Sequence, residues 1–258
     1  MSKIWEWIKE LFKEIFIEEP ECNNWPDPDK PIATGKISNP SHAESEEDEG
    51  MSKIILTSDM AKDYKEANGS PDIAILVGHN TEDQGAENYK KESEYSFNSR
   101  IAEQLLPRIE SHAVILKRPP VKSYTANCIH IQEVVKELKV PLIVALHFNA
   151  YNRSVLGSEA LLITTASELD DKLGDKVTDL LNEKLGFKER GQDGVKLLSA
   201  GTRAYKMHEY VKSAGGVLVT IEPCFANFRN SESQQIFENE DRYVEILAEA
   251  INEVMADS

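Results

Sequence analysis

The stretch Ile73-Ala74-Ile75-Leu76-Val77-Gly78-His79-Asn80 decides the fold class. Five apolar residues in a row, ended by a glycine, read as a short strand covered on both faces; a half-exposed strand would alternate apolar with polar residues. The same pattern recurs at Ala113–Leu116, Pro141–Leu146, Ala160–Thr164 and Val217–Ile221. Helical periods lie between these runs. Leu169, Leu173, Val177 and Leu181 follow a capping Ser167 and stop at Gly186, while Ile236, Tyr243, Val244, Leu247, Ile251 and Val254 make the last helix amphipathic. Strands alternating with helices imply an α/β domain over residues 71–258, a mostly parallel sheet with helices on both faces.

The pattern upstream is different. Ile4, Trp5, Ile8, Leu11, Phe12, Ile15 and Phe16 recur at three- and four-residue steps, and Glu6, Glu10 and Glu14 alternate with Lys9 and Lys13 on the other side. That spacing predicts an amphipathic docking helix within residues 1–19. Residues 20–70 are Pro-rich and acidic, with a cluster from Glu44 to Glu49, and are expected to form a disordered linker because so little apolar surface is available to bury. Residues 1–50 carry 5 Lys and 13 Asp+Glu, half of the whole chain's net charge of −16. Met-Ser-Lys-Ile occurs at residue 1 and again at residue 51, which reads as coincidence, with an internal start at Met51 as the alternative.

The 258 residues hold 29 Lys+Arg against 45 Asp+Glu and no sizeable basic run, which argues against a nucleic-acid partner, since phosphate binding needs clustered cations. The three cysteines, Cys22, Cys128 and Cys224, are far apart and odd in number, so they read as packed, reduced thiols. No run of about 20 apolar residues spans a membrane. The first twenty residues interleave charges with apolar side chains rather than forming a signal peptide. The expectation is cytoplasmic synthesis without the general secretion route.

In open parallel sheets reactive residues gather at the carboxyl ends of the strands. Here the first run leads into His79, the third into His147-Phe148-Asn149-Ala150, and the last into Glu222-Pro223-Cys224-Phe225. Each has a plain structural reading: histidines after strands are often packed or solvated, and acids at helix starts simply suit the dipole. An unpaired carboxylate at the end of an apolar strand, such as Glu222, is harder to place, because its desolvation costs several kcal/mol. The helix opened by Lys91-Glu92-Ser93-Glu94-Tyr95 puts Glu94 on the stripe with Phe97, Asn98, Ile101 and Leu105, and Glu92 on the polar side. Glu94 is therefore the acid aimed at the strand ends. Two imidazoles, one carboxylate and an open position form the shell of a catalytic Zn²⁺, with His79, Glu94 and His147 as the candidate ligands.

Residues 72–252 resemble the zinc-dependent N-acetylmuramoyl-L-alanine amidases, in which a strand leads into Gly-His-Gly, a Gly-Ala pair and a ligand Glu opening a long helix. The matching residues are Gly78-His79-Asn80, Gly85-Ala86 and Glu94, with Ala102 eight residues on. The family's Ser-Ile-His-x-Asn-Ala corresponds to Ala145-Leu146-His147-Phe148-Asn149-Ala150, and its Gly-x-Glu to Gly157-Ser158-Glu159. Its strand ending in a catalytic Glu, then Phe and Asn, corresponds to Glu222, Phe225 and Asn227. Asn80 stands in place of the second Gly, and Ser123–Asn127 lacks the family's arginine. The resemblance implies peptidoglycan as substrate and hydrolysis of the amide between N-acetylmuramic acid and L-alanine. It gives His79, Glu94 and His147 the zinc and Glu222 the proton transfers. Cys224 shares the strand face of Glu222, but Pro223 interrupts the strand and the family needs no thiolate.

Two competing readings keep the fold: a cell-wall binding module without turnover, and a zinc peptidase acting on other peptides. For the amino-terminal helix, whose charge is near balance and whose linker is acidic, a protein partner is preferred to docking on a membrane surface. A tethered catalytic domain without a secretion signal suits a lytic enzyme that reaches the wall after lysis, or one delivered by a phage or phage-like particle.

Overall fold

The computed structural model describes residues 53–151, 155–164 and 167–257. The helix expected over Ile4–Phe16 and the linker up to residue 52 lie outside the described residues. The strands are β1 (Ile54–Ile55), β2 (Ile73–Val77), β3 (Ala113–Leu116), β4 (Leu142–Leu146), β5 (Glu159–Ile163), β6 (Val195–Leu198) and β7 (Val217–Glu222). The helices are α1 (Ser58–Asn68), α2 (Glu94–Leu105), α3 (Tyr124–Leu138), α4 (Glu168–Leu185), α5 (Arg203–Ser213), α6 (Ser231–Glu238) and α7 (Glu240–Ala256).

The strands form one sheet in the order β1-β3-β2-β4-β7-β5-β6. Strands β1, β3, β2, β4 and β7 are parallel, β5 is antiparallel to β7, and β6 is parallel to β5. The central strands are fully buried, and the two-residue period divides them between two cores. Ile73, Ile75 and Val77 of β2 face the layer holding α2, α4, α6 and α7, whereas Ala74 and Leu76 face the layer of α1, α3 and α5. Burying each such Ile, Leu or Val side chain contributes about 1.5–3 kcal/mol, which is why unbroken apolar runs belong in the centre of the sheet. The α/β class with a mostly parallel sheet and helices on both faces is thus what the molecule adopts.

Two boundaries differ from the sequence reading. Residues 54–68, expected within the linker, belong to the fold. Strand β1 pairs with β3, and Thr57 caps α1 by accepting from the Met60 amide at 3.2 Å. Only Ile55, Ala61 and Tyr64 of this segment are buried, too sparse a stripe to stand out in the sequence. The last amphipathic stretch is two helices, separated at Asn239. Among the described residues, no helix is long and apolar enough to cross a membrane.

Candidate metal centre and active site

His79 follows β2 directly, in a loop whose shape is set by its neighbour. Asn80 is buried, and its Oδ1 accepts from the amides of Glu82 and Asp83 at 2.8 Å each, while its Nδ2 donates to the Val121 carbonyl at 3.0 Å. The residue that departs from Gly-His-Gly therefore closes the turn and ties it to the β3–α3 loop. His79 itself adopts φ +63°, a conformation that side-chain-bearing residues use sparingly and that recurs where a functional group must be aimed.

Glu94 is the first residue of α2, behind Ser93, whose hydroxyl accepts from the Ser96 amide at 3.2 Å. It shares the buried face with Phe97, Asn98, Ile101 and Leu105, as its helical position requires. Phe97 packs against Phe237 at 4.6 Å between ring centroids, and Phe237 against Phe148 at 5.6 Å. This aromatic floor holds the start of α2 under the end of β4, and there the Phe148 amide donates to Glu94 Oε1 at 3.1 Å.

The three candidate ligands converge. Glu94 Oε2 lies 3.2 Å from His79 Nε2, and Glu94 Oε1 lies 2.8 Å from His147 Nδ1. One donor atom from each residue falls within 4.8 Å of the others, so the set could hold a metal ion. Space is kept by two glycines: a Cβ on Gly78 would meet the His147 ring at 2.8 Å, and one on Gly85 would meet Glu94 Oε2 at 2.7 Å.

The electrostatics divide the two imidazoles. Burial disfavours charge on His79, but Glu94, and then Asp83, outweigh it and leave its pKa raised to about 9. Asp83 Oδ1 stands 3.6 Å from His79 Nδ1, an ionic contact rather than a hydrogen bond, so that ring nitrogen has no hydrogen-bond partner. Burial dominates at His147 and takes its pKa down to about 4 despite Glu94. Glu94 is itself buried, yet held below the ordinary carboxylate range by His79 and then His147.

Glu222 leaves the same sheet edge at the end of β7, one strand beyond His147. Among the described residues no cation lies within ion-pair distance of it. Burial, then the charges of Glu159 and Glu94, raise its pKa well above the usual value. Glu159 stands out in the sequence only as part of a motif. In the fold it is buried, accepts from Asn149 Nδ2 at 2.7 Å and Arg190 Nε at 3.1 Å, and has Lys196 Nζ at 3.9 Å. A site that holds donor atoms for a cation beside a carboxyl group of raised proton affinity can activate water and pass a proton to a leaving group.

The remaining candidates lie outside this cluster. Cys128 and Cys224 are free and buried, and Cys224 belongs to the core. His112 and His130 contact Tyr64 and the Leu56 carbonyl. His208 is buried against Thr220. Arg203 binds Asp83 at 2.9 Å, and Arg118, not singled out by the sequence, approaches His147 Nε2 at 3.2 Å.

Solved structures share the fold at low identity. N-acetylmuramoyl-L-alanine amidase from Clostridium difficile 630 is 18% identical with TM-score 0.54, covering 73% of this chain and 96% of its own. The catalytic domain of an endolysin targeting Clostridia Difficile is 21% identical with TM-score 0.56, covering 70% and 96%. The CwlD amidase from Clostridioides difficile, solved with the GerS lipoprotein, is 20% identical with TM-score 0.53, covering 72% and 97%. Comparison with curated proteins gives no match. The family model for N-acetylmuramoyl-L-alanine amidase matches residues 73–256, and the chain belongs to that family.

Proposed function

We propose that this chain is a zinc-dependent peptidoglycan hydrolase that cleaves the amide between N-acetylmuramic acid and L-alanine of the stem peptide. Family membership supports an amidase acting on peptidoglycan. The observation that carries the metal assignment is the convergence of His79 Nε2, Glu94 and His147 Nδ1. Two imidazoles and a carboxylate are the donor types that zinc favours. One donor atom from each of the three lies within 4.8 Å of the others, so His79, Glu94 and His147 would hold the ion.

Bound zinc would supply Lewis acidity, lowering the pKa of water and polarising the amide carbonyl. The protein's own groups do the rest. Glu94 holds both imidazoles in register, one on each carboxylate oxygen. Glu222 takes the proton of the attacking water and returns it to the amide nitrogen as the C–N bond breaks. Burial and the charges of Glu159 and Glu94 raise its pKa, which makes its carboxylate a stronger base towards the water's proton. Glu159, held by Arg190 and Asn149, stands beside it and contributes to its raised pKa.

The test is metal analysis of the purified full chain, with release of soluble muropeptide fragments from purified cell walls before and after chelation. Stoichiometric zinc, with activity lost on chelation and restored by zinc, supports the reading. A zinc-loaded chain inert on cell walls would support the binding module instead, and cleavage of free peptides but not peptidoglycan would support the peptidase.

The chain would reach the wall after lysis or by delivery in a phage-like particle, with its amino-terminal segment docked to a protein of that particle. The apolar stripe of Ile4–Phe16 supports this reading. Deleting residues 1–20 would then abolish delivery while leaving hydrolysis of soluble substrate intact; equal loss of both would place the segment in the catalytic unit.

A further inference from the structure

Arg118 lies two residues beyond the end of β3 and is only 8% exposed. Its Nη2 is 3.2 Å from His147 Nε2, its Nε has no hydrogen-bond partner, and its Cζ is 6.0 Å from the Tyr124 ring centroid. Among the described residues, no carboxylate forms an ion pair with it. The guanidinium of Arg203, 4.5 Å from the same ring centroid, differs in having Asp83 as counter-ion. A guanidinium stays charged even when buried, and an unpaired buried charge is among the least favourable groups a fold can carry. Such a group stands ready for an anion that is present only part of the time.

The sheet order says where that anion would sit. Along the reactive edge come Arg118 after β3, His79 after β2, His147 after β4, and Glu222 at the end of β7. The strands that carry the proton-transferring carboxyl and the unpaired cation thus lie on opposite sides of those that lead into His79 and His147, and the guanidinium reaches His147. When water adds to an amide, its proton leaves to one group while the carbonyl oxygen gains the negative charge. The C–N bond then breaks as the nitrogen receives a proton. Two sites of opposite character are needed, and this edge offers both.

We propose that Arg118 is a catalytic residue that binds the carbonyl oxygen of the scissile amide as negative charge develops on it. The proposal rests on the amidase reading of the same site and adds to it the group that receives the oxyanion.

The test compares the full chain with Arg118→Ala and Arg118→Lys, with zinc content measured for each. Loss of a donor to a developing oxyanion is expected to lower kcat about 10²- to 10³-fold while KM changes only a few-fold. Zinc content should hold, and added guanidinium ion at non-denaturing concentration should restore part of the activity of Arg118→Ala. A raised KM with kcat retained would overturn the proposal in favour of recognition of a substrate carboxylate. Parallel loss of zinc and activity, without rescue by guanidinium, would overturn it in favour of a support for His147. Should Arg118→Ala fail to fold, the kcat and KM of Arg118→Lys decide the same question. A second measurement needs no turnover: calorimetric titration of the chelated chain with inorganic phosphate. Binding at least tenfold weaker in Arg118→Lys or Arg118→Ala supports an anion site at Arg118, and equal binding overturns it. A parent chain inert on peptidoglycan would instead sink the amidase reading, and the phosphate titration would still decide the anion site.

Discussion

Glu159, at the start of β5, lies directly opposite Glu222, at the end of β7, as a register pair of the antiparallel β5–β7 ladder. Because β5 runs against β7, its first residue arrives at the edge where β7 and the strands parallel to it finish. Two carboxyl groups that close resist sharing two negative charges. Arg190, Asn149 and Lys196 lie against Glu159, whereas among the described residues no cation lies within ion-pair distance of Glu222, whose pKa is raised by burial and then by the charges of Glu159 and Glu94.

Removing the charge on Glu159 should therefore shift the pH profile. In Glu159→Gln the neighbouring negative charge is gone, Glu222 ionises more readily, and its pKa falls. The acid limb of kcat/KM, which reports the loss of the basic carboxylate, moves to lower pH. A pH–rate profile of the two proteins checks this, and an unmoved limb would show that another group sets it.

Glu222→Gln should lower kcat about 10²- to 10⁴-fold, the usual worth of a positioned acid–base group, with zinc content unchanged. The stability effect has a definite sign. A carboxyl whose pKa is raised in the folded state favours folding while protonated, and that contribution is lost as pH rises through the folded value. The amide carries no such charge, so thermal unfolding of the variant should occur at equal or higher temperature than the parent at pH 8. A variant that unfolds earlier at that pH contradicts the account.

Zinc must displace the proton from His79, whose pKa stands at about 9. Affinity should fall about tenfold per pH unit below 9, and more steeply below about 4, where His147 also takes up a proton. Calorimetry at pH 7.5 in buffers of different ionisation heat should count about one proton released per zinc bound. A count of zero would mean that His79 is already neutral in the metal-free chain.

Gly85 combines φ +74° with a position where a Cβ would lie 2.7 Å from Glu94 Oε2 and 2.7 Å from His79 Cδ2. Gly85→Ala should cost about 1 kcal/mol or more through its backbone alone. It should in addition reduce zinc binding, because the methyl group displaces two of the three donors. Gly201 also has positive φ, at +91°, but open space around it, so Gly201→Ala should show a backbone cost without loss of metal. Equal zinc affinity in the two variants would show that the Gly85 contact is relieved without disturbing the ligands.

Much was legible from local pattern. Runs such as Ile73–Val77 and Leu142–Leu146 announce strands buried on both faces, because no other environment tolerates five consecutive apolar residues there. The period of α2 aims Glu94, and not Glu92, at the sheet, and Glu94 is the one that meets both histidines. Glu92 instead pairs with Arg100. Local pattern is silent on residues whose meaning depends on strand direction or distant neighbours. Glu159 opens its strand, and only the reversal of β5 carries it to the edge where β7 ends. Burial of a charged residue after a strand leaves no trace in spacing, so Arg118 is inconspicuous, and β1 with α1 is equally so because only three of their side chains reach the core.

The sequence by itself determined the α/β class, the strands that form the sheet centre, and the chemical types waiting at their ends, since hydrophobic period and local helix geometry act over a few residues. Only the tertiary structure decided the order and direction of those strands. That ordering brings His79, Glu94 and His147 within reach of one ion, sets Glu159 against Glu222 and leaves Arg118 without a counter-ion among the described residues. Those are through-space Coulomb and desolvation effects, and they exist only once distant segments share one low-dielectric edge.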